Sequence, residues 1–241
     1  MEEIRLNKYL SEMGICSRRE ADRLIEAGKI QVDGKTAYMG MKIRRSQTVI
    51  CGGTEVETAK GRPSPVLLAV NKPKGIVCTT SDKDRAVNIV EMVKYPERVY
   101  PVGRLDKDSE GLIFLTNQGS LVNQIMKGSS NHEKEYVVQV NKAITEAFVK
   151  IMEEGVWLEE LGVATKPCKI AVTGRQEFHI ILTQGLNRQI RRMCTAQGYH
   201  VTNLRRIRIM NIHLGNLKTG TYRKVTAKEY ETLIKMLENN Q

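Results

Sequence analysis

Between residues 51 and 65 the chain carries Gly52-Gly53, Gly61, Pro63 and Pro65, the strongest linker composition it contains. Directly behind comes Val66-Leu67-Leu68-Ala69-Val70, apolar on both faces and so readable as a fully buried strand. The 241 residues therefore divide into a small unit with its linker, residues 1–60, and a larger one, residues 61–241.

The small unit reads as two helices and a hairpin. Leu6, Tyr9, Leu10 and Met13 recur at helical spacing, with Gly14 placed to stop the helix. Ser17-Arg18-Arg19-Glu20 has the form of a capping box, Ser17 capping and Glu20 reaching back, ahead of Ala21, Leu24 and Ile25 and a closing Gly28. Arg18 and Arg19 then fall in a first turn, where the helix dipole works against each by roughly 0.3–1 kcal/mol. Free helix amides beside two guanidinium groups suit an external phosphate; ordinary surface arginine is the plainer reading. Residues 29–32 form a strand running into an Asp33-Gly34 turn.

In the large unit, strands are expected at 66–70, 76–80, 112–115, 136–140, 167–172 and 178–183. Helices are expected at 121–126, at 146–154 behind Thr145, and at 226–237 with Thr226 and Glu229 as a capping box. Strands of mixed spacing with interspersed helices favour an α+β fold on a largely antiparallel sheet over a regular βαβ repeat.

Chemistry concentrates in the polar loop Gly103-Arg104-Leu105-Asp106-Lys107-Asp108-Ser109-Glu110-Gly111, just ahead of the apolar run 112–115. It can be a solvated turn. It can be the start of a calcium loop built on Asp106, Asp108 and Glu110, although Asn117 stands where a bidentate Glu is needed. It can also be catalytic, with Asp106 held between Arg104 and Lys107. The loop alone leaves all three open.

The net charge of +11 is unevenly placed: residues 178–228 hold ten Lys/Arg and no Asp or Glu. A single-sign block inside fold-like sequence points to a polyanionic partner, nucleic acid ahead of a membrane surface. Within it, Asn187 is expected to cap a helix bearing Arg188, Arg191 and Arg192. The simplest partner for Arg188 is Asp106 in a bidentate ion pair, with Arg191 and Arg192 left for phosphate; the alternative is that all three arginines contact phosphate. The five cysteines are scattered singly, an odd number with no C-x-x-C pair, which argues against a disulfide framework and a zinc site. The four histidines are equally isolated, and no metal is assigned. The start of the chain lacks a signal-peptide core and no run is long enough to span a membrane, so a cytoplasmic protein is expected.

Two resemblances sharpen this. The first, R-L-N-K-Y-L…C-S-R-R-E-A-D-R-L-I…G-K-I-x-V-D-G, resembles the S4 RNA-binding domain, with Arg5, Lys8, Ser17, Arg18, Arg19 and Asp22 on its motif. That family grips structured RNA through its second helix. The second is G-R-L-D-K-D-S-E-G-L-I-F-L-T-N, then E-K-E-Y, then G-L-N-R-Q-I-R-R-M, which is similar to the RsuA-type pseudouridine synthases, nearest in form to their F-type large-subunit rRNA branch.

The resemblance implies an S4 domain followed by a pseudouridine synthase catalytic domain, isomerising uridine in 23S rRNA and, in some members, in the anticodon loop of tyrosine tRNA. It implies Asp106 as the catalytic aspartate, Tyr136 stacked on the base, Arg188 paired with the aspartate and Leu182 packed below the ring. It also implies Arg104 at the site of nucleotide flipping. Asp108 and Glu110 would only shape the loop. No metal or cofactor is implied, since nothing is oxidised, reduced or hydrolysed, and a monomer is expected. The aspartate could attack the sugar, attack the base, or take the 2′ proton to give a glycal. The chain ends soon after its last helix, so contacts that a long basic tail makes in some relatives are expected to be missing. The competing class is a non-catalytic, ribosome-associated S4 factor. The discriminating feature would be Asp106, Tyr136 and Arg188 in one cleft.

Overall fold

The computed structural model describes residues 3–56, 64–79, 86–126 and 131–239; Gly61, Pro63 and Thr80 of the sequence reading lie outside them. The chain divides into two compact units, one built on the N-terminal part up to Val66 and one on the remainder, apart from short segments at 96–98 and 117–119 that group with the first.

In the first unit, β1 (Ile4–Arg5) leads into α1 (Leu6–Glu12), and α2 (Arg18–Glu26) follows. The Ser17 hydroxyl accepts from the Glu20 amide at 3.1 Å, as a cap should. The box is not closed as expected, because the Glu20 carboxylate turns to Arg23 at 2.9 Å, one turn along the same helix. Asn7 on α1 donates to Asp22 on α2 at 2.9 Å. β2 (Ile30–Val32) and β3 (Lys35–Thr36) make the hairpin, with Asp33 and Gly34 both at positive φ, as a type I′ turn requires. β4 (Lys42–Ile43) pairs with β1, while β5 (Val49–Cys51) and β6 (Thr54–Glu55) extend the sheet to the order β3-β2-β5-β6. Leu6, Tyr9, Leu10, Ala21, Ile25, Ile30 and Val49 share one small core.

The second unit begins with β7 (Leu67–Lys72), buried at every residue. The strand expected at 76–80 does not form; Val77 makes only an isolated bridge to Asn88. There the chain serves instead as a loop that Lys72 folds. α3 (Ile89–Val93) and β8 (Tyr100–Pro101) lead to β9 (Glu110–Thr116), α4 (Gly119–Met126) and β10 (Lys134–Val140). α5 (Glu146–Glu154) starts at Thr145 as read, then β11 (Trp157–Leu158), β12 (Val163–Ala164), β13 (Lys169–Gly174) and β14 (Glu177–Leu182) follow. α6 (Gln189–Ala196), β15 (Val201–Ile209), β16 (Ile212–His213), β17 (Tyr222–Lys224) and α7 (Ala227–Glu238) complete the unit. α7 has the expected capping box of Thr226 and Glu229.

One sheet organises these elements, in the order β13-β14-β10-β15-β9-β7-β17, with β16 and β8 pairing at its side. Among the described strands only β9 and β15 run parallel, so the α+β, largely antiparallel expectation holds. Phe114, Leu121, Ile125, Ile212, Leu233 and Leu237 form a core that seals α4 and α7 to the sheet.

β15 is the central strand that the basic composition of residues 201–209 hides. Its pairing with β10 sets Arg208 opposite Glu135 but Arg206 opposite Tyr136, so Ile207 is an extra residue, a β-bulge. Adjacent β10 residues point to opposite faces, and the bulge sends the two arginines to opposite faces with them. Arg208 reaches Glu135 at 2.8 Å and Glu133 at 3.1 Å. Arg206 turns inward and is 4% exposed.

Candidate active site

The loop between β8 and β9 is held from three sides. Cys78 Sγ donates to Leu105 O at 3.2 Å and accepts from Leu105 N at 3.4 Å. Gly75 N donates to Lys107 O at 2.7 Å, and Ser109 N to Asp106 O at 3.1 Å. The Gly75 turn is itself shaped by Lys72, whose fully buried ammonium donates to Pro73 O and Ile76 O, each at 2.9 Å. Burial pulls the pKa of Lys72 below its ordinary value. Reading residues 71–75 as a plain turn missed this support. A lysine two residues beyond a wholly apolar run was the available signal.

From below, Arg191 Nη2 donates to Asp108 O at 3.1 Å and Ser109 Oγ at 3.2 Å. The side chain of Asp106 is thereby presented on a turn with few ways to move, which is what a positioned carboxylate requires.

A cavity of about 310 Å³ opens beside it, within the usual range for small-molecule sites. Asp106, Tyr136, Arg188, Leu182, Arg104 and Asn187 all line it, with Val102, Phe114, Ile125, Leu204 and Ile209 as apolar wall. Strand register explains the grouping. Tyr136 and Lys134 share the inner face of β10, Lys134 lies opposite Leu182 of β14, and Tyr136 lies opposite Arg206 of β15. Tyr136 and Leu182 are buried, Asp106 is partly exposed, and Arg104, Asn187 and Arg188 are exposed at the rim.

Arg188 departs from the expectation in two ways. Its bidentate partner is Asp108, at 3.2 and 3.1 Å, while Asp106 receives one longer contact at 3.6 Å. Burial opposes ionisation of Asp108, but hydrogen bonds from Arg188 and the charges of Arg191 and Arg188 outweigh it and hold the carboxyl below its ordinary pKa. Asp108, read as a loop-shaping residue, is thus the main anchor of the arginine. Asn187 does not cap α6 either. Arg188 is the N-cap residue, in left-handed conformation at φ +49°, and the turn is closed by buried Gln189, whose side chain accepts from Leu186 N at 3.0 Å. The Asn187 side chain instead accepts from Arg192 at 3.1 Å.

Arg191 and Arg192 lie outside the cavity lining. Arg191 is spent on Asp108, Ser109 and Val201 O, and Arg192 on Asn187 and Glu160. With Arg208 on Glu133 and Glu135, and Arg223 on Glu229, much of the basic block is neutralised by acids from other parts of the chain. The charge surplus in sequence is therefore not a surplus of free cations in space. In the first unit Arg18 and Arg19 are exposed, with no hydrogen-bond or ion-pair partner among the described residues. The calcium alternative does not form: Asp108 is occupied by arginines and Glu110 accepts from Asn203 at 3.2 Å. Among the described residues no group of three His, Cys, Asp or Glu is gathered as metal ligands. Nor is any helix long and apolar enough to cross a membrane.

A unit with the S4 motif, on the same chain as a sheet whose strand β10, β8–β9 loop and α6 N-cap bring a tyrosine, an aspartate and an arginine to one cavity, points to an enzyme acting on RNA. The RNA pseudouridylate synthase family model matches residues 66–196 and the S4 domain model residues 4–49. The chain belongs to the RNA pseudouridylate synthases, which makes it an RNA isomerase and sets aside the non-catalytic S4 factor. It is 50% identical over 237 residues to the dual-specificity RNA pseudouridine synthase RluF of Escherichia coli (strain K12), covering 98% of this chain and 80% of that one. It is 34% identical over 235 residues to ribosomal large subunit pseudouridine synthase B of Bacillus subtilis (strain 168), covering 95% of each. A crystal structure of a pseudouridylate synthase superposes with a TM-score of 0.70 at 26% identity, covering 95% of this chain and 99% of that one.

Proposed function

We propose that the cavity is the uridine site and that Asp106 is its catalytic carboxylate. The supporting observation is that Asp106, Tyr136, Arg188 and Leu182, brought from four separate elements, line one hollow with apolar walls. Isomerisation breaks the N1–C1′ bond, leaves its electron pair on uracil, turns the ring and makes a C5–C1′ bond. The C5 hydrogen is lost and N1 gains a proton, so the formula is unchanged. A detached base must neither escape nor meet water while it turns, and a small apolar enclosure meets both needs.

In this reading the Tyr136 ring stacks on the base and Leu182 packs on its other side. Arg188 bridges Asp108 and Asp106 and so fixes the direction from which the carboxylate acts. Arg104, exposed at the rim, holds the flipped nucleotide or its gap, because the base is out of reach inside a stacked helix. Asn187 contributes at the rim, while Arg191 and Arg192 support the substrate through the loops they brace. Arg18 and Arg19 supply phosphate contacts from the S4 unit. The proposed substrate is a uridine of 23S rRNA, with the anticodon loop of tyrosine tRNA as a second target. The names of the two relatives, one dual-specificity and one ribosomal large subunit, support that choice. The cytoplasm is the proposed location.

Asp106→Asn tests the assignment. It keeps the shape of the side chain, so RNA affinity should stay within about threefold while turnover falls by about 10³-fold or more. Both are read from filter binding and from pseudouridine content after nuclease digestion. Pseudouridine formed at the normal rate removes Asp106 from the chemistry.

A further inference from the structure

Lys134 and Arg206 stand in the same cavity and have no role in the chemistry described so far. Arg206 is almost wholly buried; its Nε donates to Leu112 O at 2.6 Å, but its Nη2 is buried with no hydrogen-bond partner among the described residues. Its guanidinium lies 5.9 Å from the centre of the Tyr136 ring. Among the described residues the Lys134 ammonium has one neutral partner, His132 O at 3.2 Å. The nearby acids among the described residues are committed elsewhere. Glu133 and Glu135 serve Arg208 on the other face of the sheet, and Asp106 and Asp108 serve Arg188.

Buried cations kept only for the fold are normally paired with carboxylates, since leaving them bare costs several kcal/mol. Burial and, after it, the charge of Arg206 bring the pKa of Lys134 down to about 8, as expected where two cations share an enclosure without a counter-ion.

We propose that Lys134 and Arg206 form a cationic wall that binds the oxygens of uracil and takes up the negative charge left on the base when its N1–C1′ bond breaks. This rests on the reading of the cavity as the uridine site. When that bond breaks heterolytically, the pair of electrons on N1 is shared with O2 and O4 of the ring. Neutral uracil offers those oxygens only as weak acceptors, so the two cations act more strongly on the departing base than on the bound nucleoside. That difference is what accelerates a reaction. The same contacts hold the free ring while C5 comes round to C1′.

The test uses the full chain and an RNA transcript that the wild-type protein modifies, made with uridine or with 5-fluorouridine. Fluorine makes the departing base more acidic, so cleavage of its N-glycosidic bond depends less on help from the wall. Lys134→Met, which relieves the partial burial of a charge, should fold and bind RNA within about twofold of wild type. Its single-turnover loss of N-glycoside should slow by about 30-fold on uridine RNA and by no more than about threefold on 5-fluorouridine RNA. Lys134→Arg should recover part of the rate. Arg206→Lys, which keeps a charge but loses Nη2, should show the same dependence on fluorine in weaker form.

Equal slowing on both RNAs overturns the proposal. So does weakened RNA binding with unchanged chemistry, which would place the wall on a backbone phosphate instead of the base. Asp106→Asn, run alongside, separates the two readings. If it stays inactive while Lys134→Met is indifferent to fluorine, the cationic wall fails and the uridine site stands. If it turns over normally, the site itself fails.

Discussion

Replacing Gly111 by alanine should damage the enzyme in a way that two control glycines separate into causes. Gly111 sits at φ +104° where β9 runs beside Arg206 of β15, and a Cβ there would lie 2.3 Å from Arg206 O and 2.8 Å from Arg206 N. Those are backbone atoms, so no rotamer change relieves the overlap and the strands must part. Gly155, at φ +107°, meets the same obstacle, 2.5 Å from Thr165 O, but follows α5 and does not line the cavity. Gly162, at φ +62°, has nothing within 4 Å.

Gly162→Ala should therefore lose only the backbone preference, about 1–2 kcal/mol. The other two add about 1–3 kcal/mol of overpacking. At about 2–4 °C per kcal/mol, the melting temperature should fall by about 4 °C for Gly162→Ala and about 10 °C for each of the others. Calorimetry gives these shifts, and pseudouridine formation well below every transition gives the activity. Only Gly111→Ala should lose turnover there, because its strand anchors the turn that presents Asp106 and its neighbour carries Arg206. A Gly111→Ala variant as stable as Gly162→Ala, or a Gly155→Ala variant equally inactive, would refute this account.

Asp108→Ala leaves Arg188 only its 3.6 Å contact to Asp106, so turnover should drop about tenfold, or ~1.4 kcal/mol, with RNA affinity unchanged. An unaltered single-turnover rate would show that Arg188 needs no second anchor. Arg18→Ala with Arg19→Ala should weaken RNA binding and reduce the slope of log affinity against log salt by about 1–2. A wild-type slope takes those two residues out of the RNA footprint. Glu229 is bound through two 2.7 Å contacts by Arg223, which brings its pKa to about 2 from an ordinary 4.5. The unfolded chain takes up this proton first, so the stabilisation is present above about pH 4.5 and is lost as pH falls towards about 2. The pair is partly open to solvent, so the loss should be about 1 kcal/mol. Glu229→Gln should flatten that part of an acid titration followed by circular dichroism, and an unchanged profile would contradict the pairing.

Periodicity made the helices legible: α5 and α7 follow their caps at Thr145 and Thr226 because a threonine side chain and an apolar stripe are local signals. The grouping of Asp106, Tyr136, Arg188 and Leu182 came from motif resemblance, and the register of β10 and β14 explains why those motifs meet. What stayed hidden is non-local. β15 spells Val-Thr-Asn-Leu-Arg-Arg-Ile-Arg-Ile, whose period is broken by the bulge and whose inward residue is an arginine, so it reads as a surface patch. Lys134 and Arg206 look like any exposed cations until the strands on either side half-bury the first and bury the second. The true partner of Arg188 was equally invisible, since Asp106 and Asp108 are two positions apart and either could face it.

The supernumerary residue at Ile207 has a consequence for how this enzyme can diverge. Point changes along β15 can be absorbed one side chain at a time, but a one-residue deletion there exchanges inside and outside. Upstream of the bulge the strand would be re-phased, so that the cation meant for the base would be handed to the outer glutamates, or the reverse. Length, more than composition, is the property of this strand that descent must preserve.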